Sequence, residues 1–326
     1  MQGIVIKNTG NWYEIADESQ KIFLCKVKGN FRLKEVKTTN PVAVGDHVDF
    51  ELLTENQDFT TQKFSTGWIT AVHERQNCLI RKSVNLSKQT HIIAANIDMA
   101  FIVVSMHHPR TPQGFIDRFL VSCEAYRVPC SLIFNKIDTY NPQALKDAAL
   151  YKALYEAIGY RCLYTSAVTL EGLDILKEYM QNKVCLFAGN SGVGKSALVH
   201  AIEPSLEIKI GEISCVHNKG KHTTTYAQMY PLSFQGYIMD TPGIKEFGMV
   251  KLNTEEISRY FPEMKLRMDA CQFNNCTHEH EPNCAIKKAV ENGDIHPLRY
   301  KSYLNILHGR EVDTPGLLEN KKESKK

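Results

Sequence analysis

Residues Gly189-Asn190-Ser191-Gly192-Val193-Gly194-Lys195-Ser196 follow directly on an apolar run, VCLFA, and lead into SALVHAIE. The pattern G-x-x-x-x-G-K-[ST] between a strand and a helix restricts the surrounding chain to an α/β phosphate-binding fold. Its glycines let successive backbone N–H groups turn toward one point. The N-terminus of the following helix adds partial positive charge there. Lys195 is expected to reach the β- and γ-phosphates, Ser196 to hold magnesium through its hydroxyl, and residues 189–197, Ala197 included, to line the phosphates.

The sequence around this loop alternates in the way such a fold requires. IDMAFIVVSM is a continuous apolar run, as a strand buried on both faces needs. GFIDRFLVSCEAYR follows, with Phe115, Phe119, Leu120 and Cys123 at helical spacing. Strand VPCSLIFN, helix PQALKDAALYKALYEAIG, strand RCLYTSA and helix GLDILKEYM complete the approach to the loop. This alternation predicts a doubly wound, mostly parallel sheet, with ligands beyond the carboxyl ends of its strands.

Residues 1–73 read differently. GIVIKN, WYEIAD, KIFLCKVKG, VAVGDHVDFELL and GWITAVHE are short alternating segments punctuated by Gly, Asn and Pro. Five strands in this length predict a small closed β-barrel. Such barrels serve both as nucleic-acid modules and as protein-docking modules, and the residues leave both open. Charge does not choose between them. Residues 1–75 carry 9 Lys/Arg against 10 Asp/Glu, residues 253–326 carry 12 against 12, and the whole chain has a formal charge of +3. No run approaches the ~18 apolar residues of a membrane helix, and the N-terminus lacks the pattern of a signal peptide. A soluble, cytoplasmic, monomeric protein is the expectation.

Three of the ten cysteines cluster in the last quarter of the sequence, and the others are scattered singly. Cys271, Cys276, His278 and Cys284 give the spacing C-x4-C-x-H-x5-C. Three thiolates and an imidazole satisfy tetrahedral zinc with no position left open, so one structural zinc is expected. His280 competes for the imidazole position. Residues 253–326 therefore read as a small, mostly helical zinc-binding domain with a basic tail, KKESKK.

Four further segments complete a guanine-nucleotide reading. Asn135-Lys136-Ile137-Asp138 follows strand CSLIF. A carboxylate at Asp138 accepts from both the N1–H and the exocyclic amine of guanine, a donor pair that adenine lacks. The Lys136 stem suits the base plane, and Ser166-Ala167 offers backbone contact to the guanine O6. Strand GYIM delivers Asp240-Thr241-Pro242-Gly243, in which Asp240 suits a magnesium-bound water and the Gly243 N–H suits the γ-phosphate. Between loop and strand, Lys219–Thr225 includes His222 and three threonines, any of which suits a switch ligand for magnesium. Ile244, after the DTPG segment, cannot orient a water as the glutamine of many GTPases does, so intrinsic hydrolysis is expected to be slow.

The order of these motifs is rotated. NKID (135–138) and TSA (165–167) precede GNSGVGKS (189–196), with HTTT and DTPG after it. With the barrel before and the Cys3His cluster after, the chain resembles over essentially its whole length the bacterial ribosome small-subunit-dependent GTPase A family (RsgA, YjeQ/YloQ). The resemblance implies an OB-like barrel at 1–73, a circularly permuted P-loop GTPase domain at 74–252 and a zinc-binding domain at 253–326. It implies GTP/GDP and magnesium as ligands, with zinc on Cys271, Cys276, His278 and Cys284. It favours Thr224 as the magnesium-binding switch residue and gives His222 a part in catalysis. The implied partner is the small ribosomal subunit and its rRNA, whose late maturation such a GTPase monitors. Arg32, Lys34 and Lys37 in the barrel, and Arg299, Tyr300, Lys301 and Tyr303 near the C-terminus, are the expected RNA contacts. A permuted GTPase with another RNA or protein activator is the alternative.

Overall fold

The computed structural model describes residues 1–28, 41–53, 65–82, 90–206, 227–240 and 253–310. The described residues form two compact units, one drawn from 1–99, 177–187 and 205–242, the other from 100–176, 188–204 and 243–326.

In the first unit, strands β1 (Gln2–Asn8), β2 (Tyr13–Ala16), β3 (Ile22–Val27), β4 (His47–Leu52) and β5 (Thr66–Val72) form the expected barrel. They pair in the order β1-β2-β3-β5-β4, and β4 closes on β1 with Gly3 opposite Val48. Period-two alternation sends Val5, Ile15, Phe23, Cys25, Val48, Phe50 and Ile69 inward, each 0–1% exposed. A hairpin of β6 (Cys78–Lys82) and β7 (Thr90–Ala95) follows, which the periodicity did not announce. The barrel is tied to the approach to this hairpin by Arg75, whose Nε and Nη2 each reach the buried Asp46 carboxylate at 2.7 Å.

The barrel does not end at its own edge. Strands β11 (Val184–Ala188), β12 (Gln228–Pro231) and β13 (Tyr237–Asp240) pair in the order β11-β13-β12, and β12 adds to β1. One cross-strand row runs Lys7, Gln228, Asp240. The barrel's first strand is thus in register with the strand that delivers Asp240.

In the second unit, β8 (Met99–Val104), β9 (Cys130–Phe134) and β10 (Arg161–Tyr164) are parallel neighbours. Helices α1 (Gln113–Tyr126) and α2 (Pro142–Ile158) connect them. α2 starts where sequence rules place it. Asn141 accepts from the Ala144 N–H, Pro142 fills the first turn, and Gly159 at φ 104° ends the helix in the left-handed region. α3 (Leu173–Met180) precedes β11, and α4 (Lys195–Ile202) follows it.

The C-terminal segment is short-element structure: a 3-10 helix over Thr254–Tyr260, then α5 (Pro262–Lys265), α6 (Ala285–Glu291) and α7 (Pro297–Leu307). Its core gathers Ile257, Phe261, Met264, Ile286, Ile295 and Tyr303 around Val121 of α1. No described helix is long and apolar enough to cross a membrane.

Candidate functional site

The phosphate loop and the base motif are clasped together by one buried side chain. Asn135 is 0% exposed. Its Nδ2 donates to the carbonyl of Val193 at 3.0 Å, and its Oδ1 accepts from the Thr165 hydroxyl at 3.0 Å. Asn135 thus joins the NKID, TSA and GNSGVGKS segments and leaves Lys136 and Asp138 as the members facing outward. Gly194 permits this closeness. It sits at φ 91°, and a Cβ there would fall 2.6 Å from Asn135 Nδ2 and 3.4 Å from the Lys136 stem.

Within the loop, Lys195 is 7% exposed, and its ammonium donates to the carbonyls of Gly189 at 2.7 Å and Asn190 at 2.8 Å. These carbonyls hold the charge at the loop's centre, where a phosphate would replace them as partner. Ser196 lies in the first turn of α4, with Ala197 next to it. Ser191 and Gly192 are exposed at the loop's tip.

The Asp138 carboxylate is aimed by Ser166. The buried Ser166 hydroxyl donates to Asp138 Oδ1 at 2.5 Å and accepts from the Val168 and Thr169 N–H groups at 3.2 and 3.1 Å. A hydroxyl has one hydrogen and two acceptor positions, so this one is saturated and its hydrogen is committed to Asp138. The Asp138 side chain is otherwise exposed. Ala167, beside it, is half-buried. Thr165 opens the TSA motif, but its hydroxyl is spent on Asn135, a contact that residue type and spacing do not announce. The same holds for the segment Ser105–Thr111, whose His108 carbonyl accepts from Lys136 Nζ at 3.1 Å.

Asp240 closes β13 in the first unit. Its carboxylate and the Ser196 hydroxyl are hard oxygen donors of the type magnesium takes. His222, Thr224, Gly243, Ile244, Arg32, Lys34 and Lys37 lie outside the described residues.

Cys271, Cys276, His278 and Cys284 bring their ligand atoms within 4.8 Å of one another. His278 Nδ1 stands 3.6 Å from Cys271 Sγ and 3.5 Å from Cys284 Sγ, and those two sulfurs are 4.0 Å apart. Ordinary Zn–N and Zn–S bonds in a tetrahedron imply edges of about 3.6 and 3.8 Å, so the cluster fits zinc. Burial lowers the His278 pKa, which keeps the imidazole in its neutral, ligating form. Burial also pushes the Cys276 thiol up to about 12, a cost that a cation reverses by binding the thiolate. His280 is not in the cluster; it lies beside Glu279, 85% exposed in its side chain. Tyr300 and Tyr303 of α7 donate to the carbonyls of His278 and Thr277, both at 2.6 Å, and brace the loop. Cys276→Ser is expected to weaken zinc binding by more than the ~10–100-fold that loss of an outer-shell partner costs. Metal content measured after gel filtration checks this, and full retention would remove Cys276 from the ligand set.

Two of the expected RNA contacts are corrected. Arg299 and Tyr303 are each 1% exposed, so neither reaches a partner. Arg299 faces inward because Asp117 and Glu263 are there to receive it: Nη1 meets Asp117 Oδ1 at 2.6 Å and Nε meets Glu263 Oε1 at 2.7 Å. Burial by itself would lower its pKa, but the two carboxylates more than reverse this and hold it well above its ordinary value. Tyr300 is half-buried, and Lys301 alone of the four is exposed.

A family described as RsgA GTPase matches residues 72–250, and one described as RsgA N-terminal domain matches residues 2–59. The small ribosomal subunit biogenesis GTPase RsgA of Flavobacterium johnsoniae is 53% identical over 95% of this chain and 94% of its own length. The protein of the same name from Bacteroides fragilis is 49% identical over 95% and 97%. Among solved structures, YjeQ from Thermotoga maritima superposes with a TM-score of 0.75 at 33% identity, covering 94% of this chain and 97% of that one. YloQ, described as a circularly permuted GTPase, gives 0.72 at 27% identity, covering 96% of each. With the rotated motif order, the barrel before it and the Cys3His cluster after it, the chain belongs to the RsgA GTPase family and is a circularly permuted P-loop GTPase.

Proposed function

We propose that this chain hydrolyses GTP in response to the small ribosomal subunit and so acts as a checkpoint on that subunit's late maturation. The names of its relatives support the partner. The observation within the chain that carries the choice of guanine is the saturated Ser166 hydroxyl committed to Asp138. In this reading Asp138 and the Lys136 stem hold the base, and Ala167 meets the guanine O6. Residues 189–197 and Gly243 hold the phosphates, with Lys195 on the β- and γ-oxygens. Magnesium, held by Ser196 and Thr224 with Asp240 on one of its waters, neutralises charge building on the phosphoryl oxygens.

Ile244 leaves the attacking water without an orienting partner, so intrinsic turnover is slow and His222 supplies the polar contact once the subunit is bound. GTP-bound protein engages the subunit, phosphoryl transfer to water follows, and the GDP form leaves. The reading divides the chain into a barrel at 1–73, the GTPase domain at 74–252 and the zinc domain at 253–326. The barrel and the zinc domain carry the rRNA contacts, and the protein works as a cytoplasmic monomer.

Steady-state GTP hydrolysis at fixed salt, with small subunits, large subunits or neither, tests the proposal, with ATP as a control. Stimulation by small subunits alone is expected, on the order of 10^2 or more. His222→Ala is expected to bind GTP normally yet lose that stimulation, and unchanged stimulated turnover would remove His222 from the mechanism. Intact GTP binding without stimulation by subunits would favour a different RNA or protein activator.

A further inference from the structure

The second unit contains a chain of contacts that no nucleotide-binding motif requires. It starts at α7, where Tyr300 and Tyr303 brace the metal cluster and Arg299 turns the other way to Asp117 of α1. Asp117 is 0% exposed and fully engaged. It accepts from Arg299, from the Tyr155 hydroxyl at 2.7 Å, from the Ser302 hydroxyl at 2.5 Å and from Gln113 Nε2 at 3.3 Å. Gln113 is the first residue of α1 and is 1% exposed, and its Oε1 is buried with no hydrogen-bond partner among the described residues.

Immediately before α1 lies the segment Ser105–Thr111, closed on itself. The Thr111 N–H donates to the Ser105 carbonyl at 2.8 Å, and the Ser105 N–H donates to the Thr111 hydroxyl at 3.0 Å. The tip of this segment touches both halves of the nucleotide site. His108 O receives Lys136 Nζ, and the Pro109 ring lies 3.3 Å from where a Cβ on Gly192 would stand. A shift of α1 along its axis therefore moves the group that holds Lys136 and the wall that backs the phosphate loop. In a close-packed interior such a shift has little room to dissipate.

We propose that Asp117 is a positioning residue for the nucleotide site, and that through α1 and the 105–111 segment it couples that site to the Cys3His cluster. The inference rests on the guanine-nucleotide reading given above. Bound nucleotide fixes Lys136 and the phosphate loop, hence the 105–111 segment, α1 and α7, and so firms the loop that carries the metal ligands. Coupling between two sites is reciprocal, so metal binding must strengthen nucleotide binding by the same factor.

The test measures the rate at which the zinc-loaded, full-length protein loses zinc to the chelator 4-(2-pyridylazo)resorcinol. The measurement is made without nucleotide and with saturating GDP, and binding of a fluorescent GDP is followed in the same samples. GDP is expected to slow zinc release by about fivefold or more, the lower range of measured allosteric couplings. Ser302→Ala removes one of the two contacts by which α7 holds Asp117, so it is expected to fold, bind zinc and GDP, and release zinc at a rate less sensitive to GDP. A purely structural role for Asp117 predicts instead an equal rise in zinc release with and without GDP. GDP binding without any effect on zinc release in the wild type would overturn the coupling alone, as would an undiminished effect in Ser302→Ala. Failure to bind GDP at all would overturn the underlying nucleotide reading and the coupling with it.

Discussion

Asp138→Asn is expected to turn the protein from guanine to xanthine nucleotides, with GTP affinity falling by about 10^4, the scale on which a site rejects a base that leaves its buried polar groups unpaired. The direction follows from Ser166. Its two acceptor positions are filled by backbone N–H groups, so its hydrogen must go to residue 138. In the variant only the amide oxygen can receive that hydrogen, which turns the amide NH2 toward the base. An NH2 there opposes the donors of guanine and pairs with the 2-oxo group of xanthine. Competition between GTP and XTP for a fluorescent nucleotide measures the switch. A variant that still prefers GTP would mean that Asp138 does not read the base.

The second large effect is one of stability. Arg299→Met is expected to cost about 3–5 kcal/mol, the range for breaking a buried ion pair by removing one partner. Arg299 lies between Asp117 and Glu263, which are 0% and 7% exposed, with the Phe261 ring 4.6 Å from its guanidinium carbon. Methionine matches the stem and leaves two buried carboxylates facing each other without a cation. Arg299→Lys is expected to recover only part of the loss, since one ammonium cannot replace a fork that sets Nε and Nη2 on Glu263 and Nη1 on Asp117. Urea unfolding of the zinc-loaded proteins gives the difference. A cost under about 1 kcal/mol, the scale of an exposed pair, would show that the network is not the fastening between α1 and α7.

Much of the site was legible in the sequence because its chemistry is local. A phosphate loop needs glycine, lysine and serine within eight consecutive positions, and a guanine-reading carboxylate needs only a strand end to present it. Strand and helix periods were equally plain. VCLFA became β11, PQALKDAALYKALYEAIG became α2 with its Asn141 and Gly159 caps, and the five barrel strands fell on the alternating runs. Cys271, Cys276, His278 and Cys284 converge as their spacing implied, because a short loop can close on one ion.

The misreading of Arg299 shows where that legibility stops. In sequence, Arg299-Tyr300-Lys301-Ser302-Tyr303 is a basic, aromatic stretch of the kind that contacts RNA. In the fold, one face of α7 sends Arg299 and Ser302 to Asp117, 182 and 185 residues earlier, and the two tyrosines brace the metal loop. Whether an arginine is a surface cation or a buried rivet depends on carboxylates remote in the chain, and no local pattern records them. The same applies to Asn135, whose place in NKID reads as a base contact while its amide ties three segments together. It applies again to the row Lys7, Gln228, Asp240, which joins the barrel to the strand of the DTPG segment through backbone hydrogen bonds that carry no side-chain signature. The sequence by itself set the candidate residues of the loop, the base motif and the metal cluster, since those are given by residue type and short spacing. The tertiary structure alone decided which polar groups are buried against one another, because that depends on pairings between residues far apart in the chain.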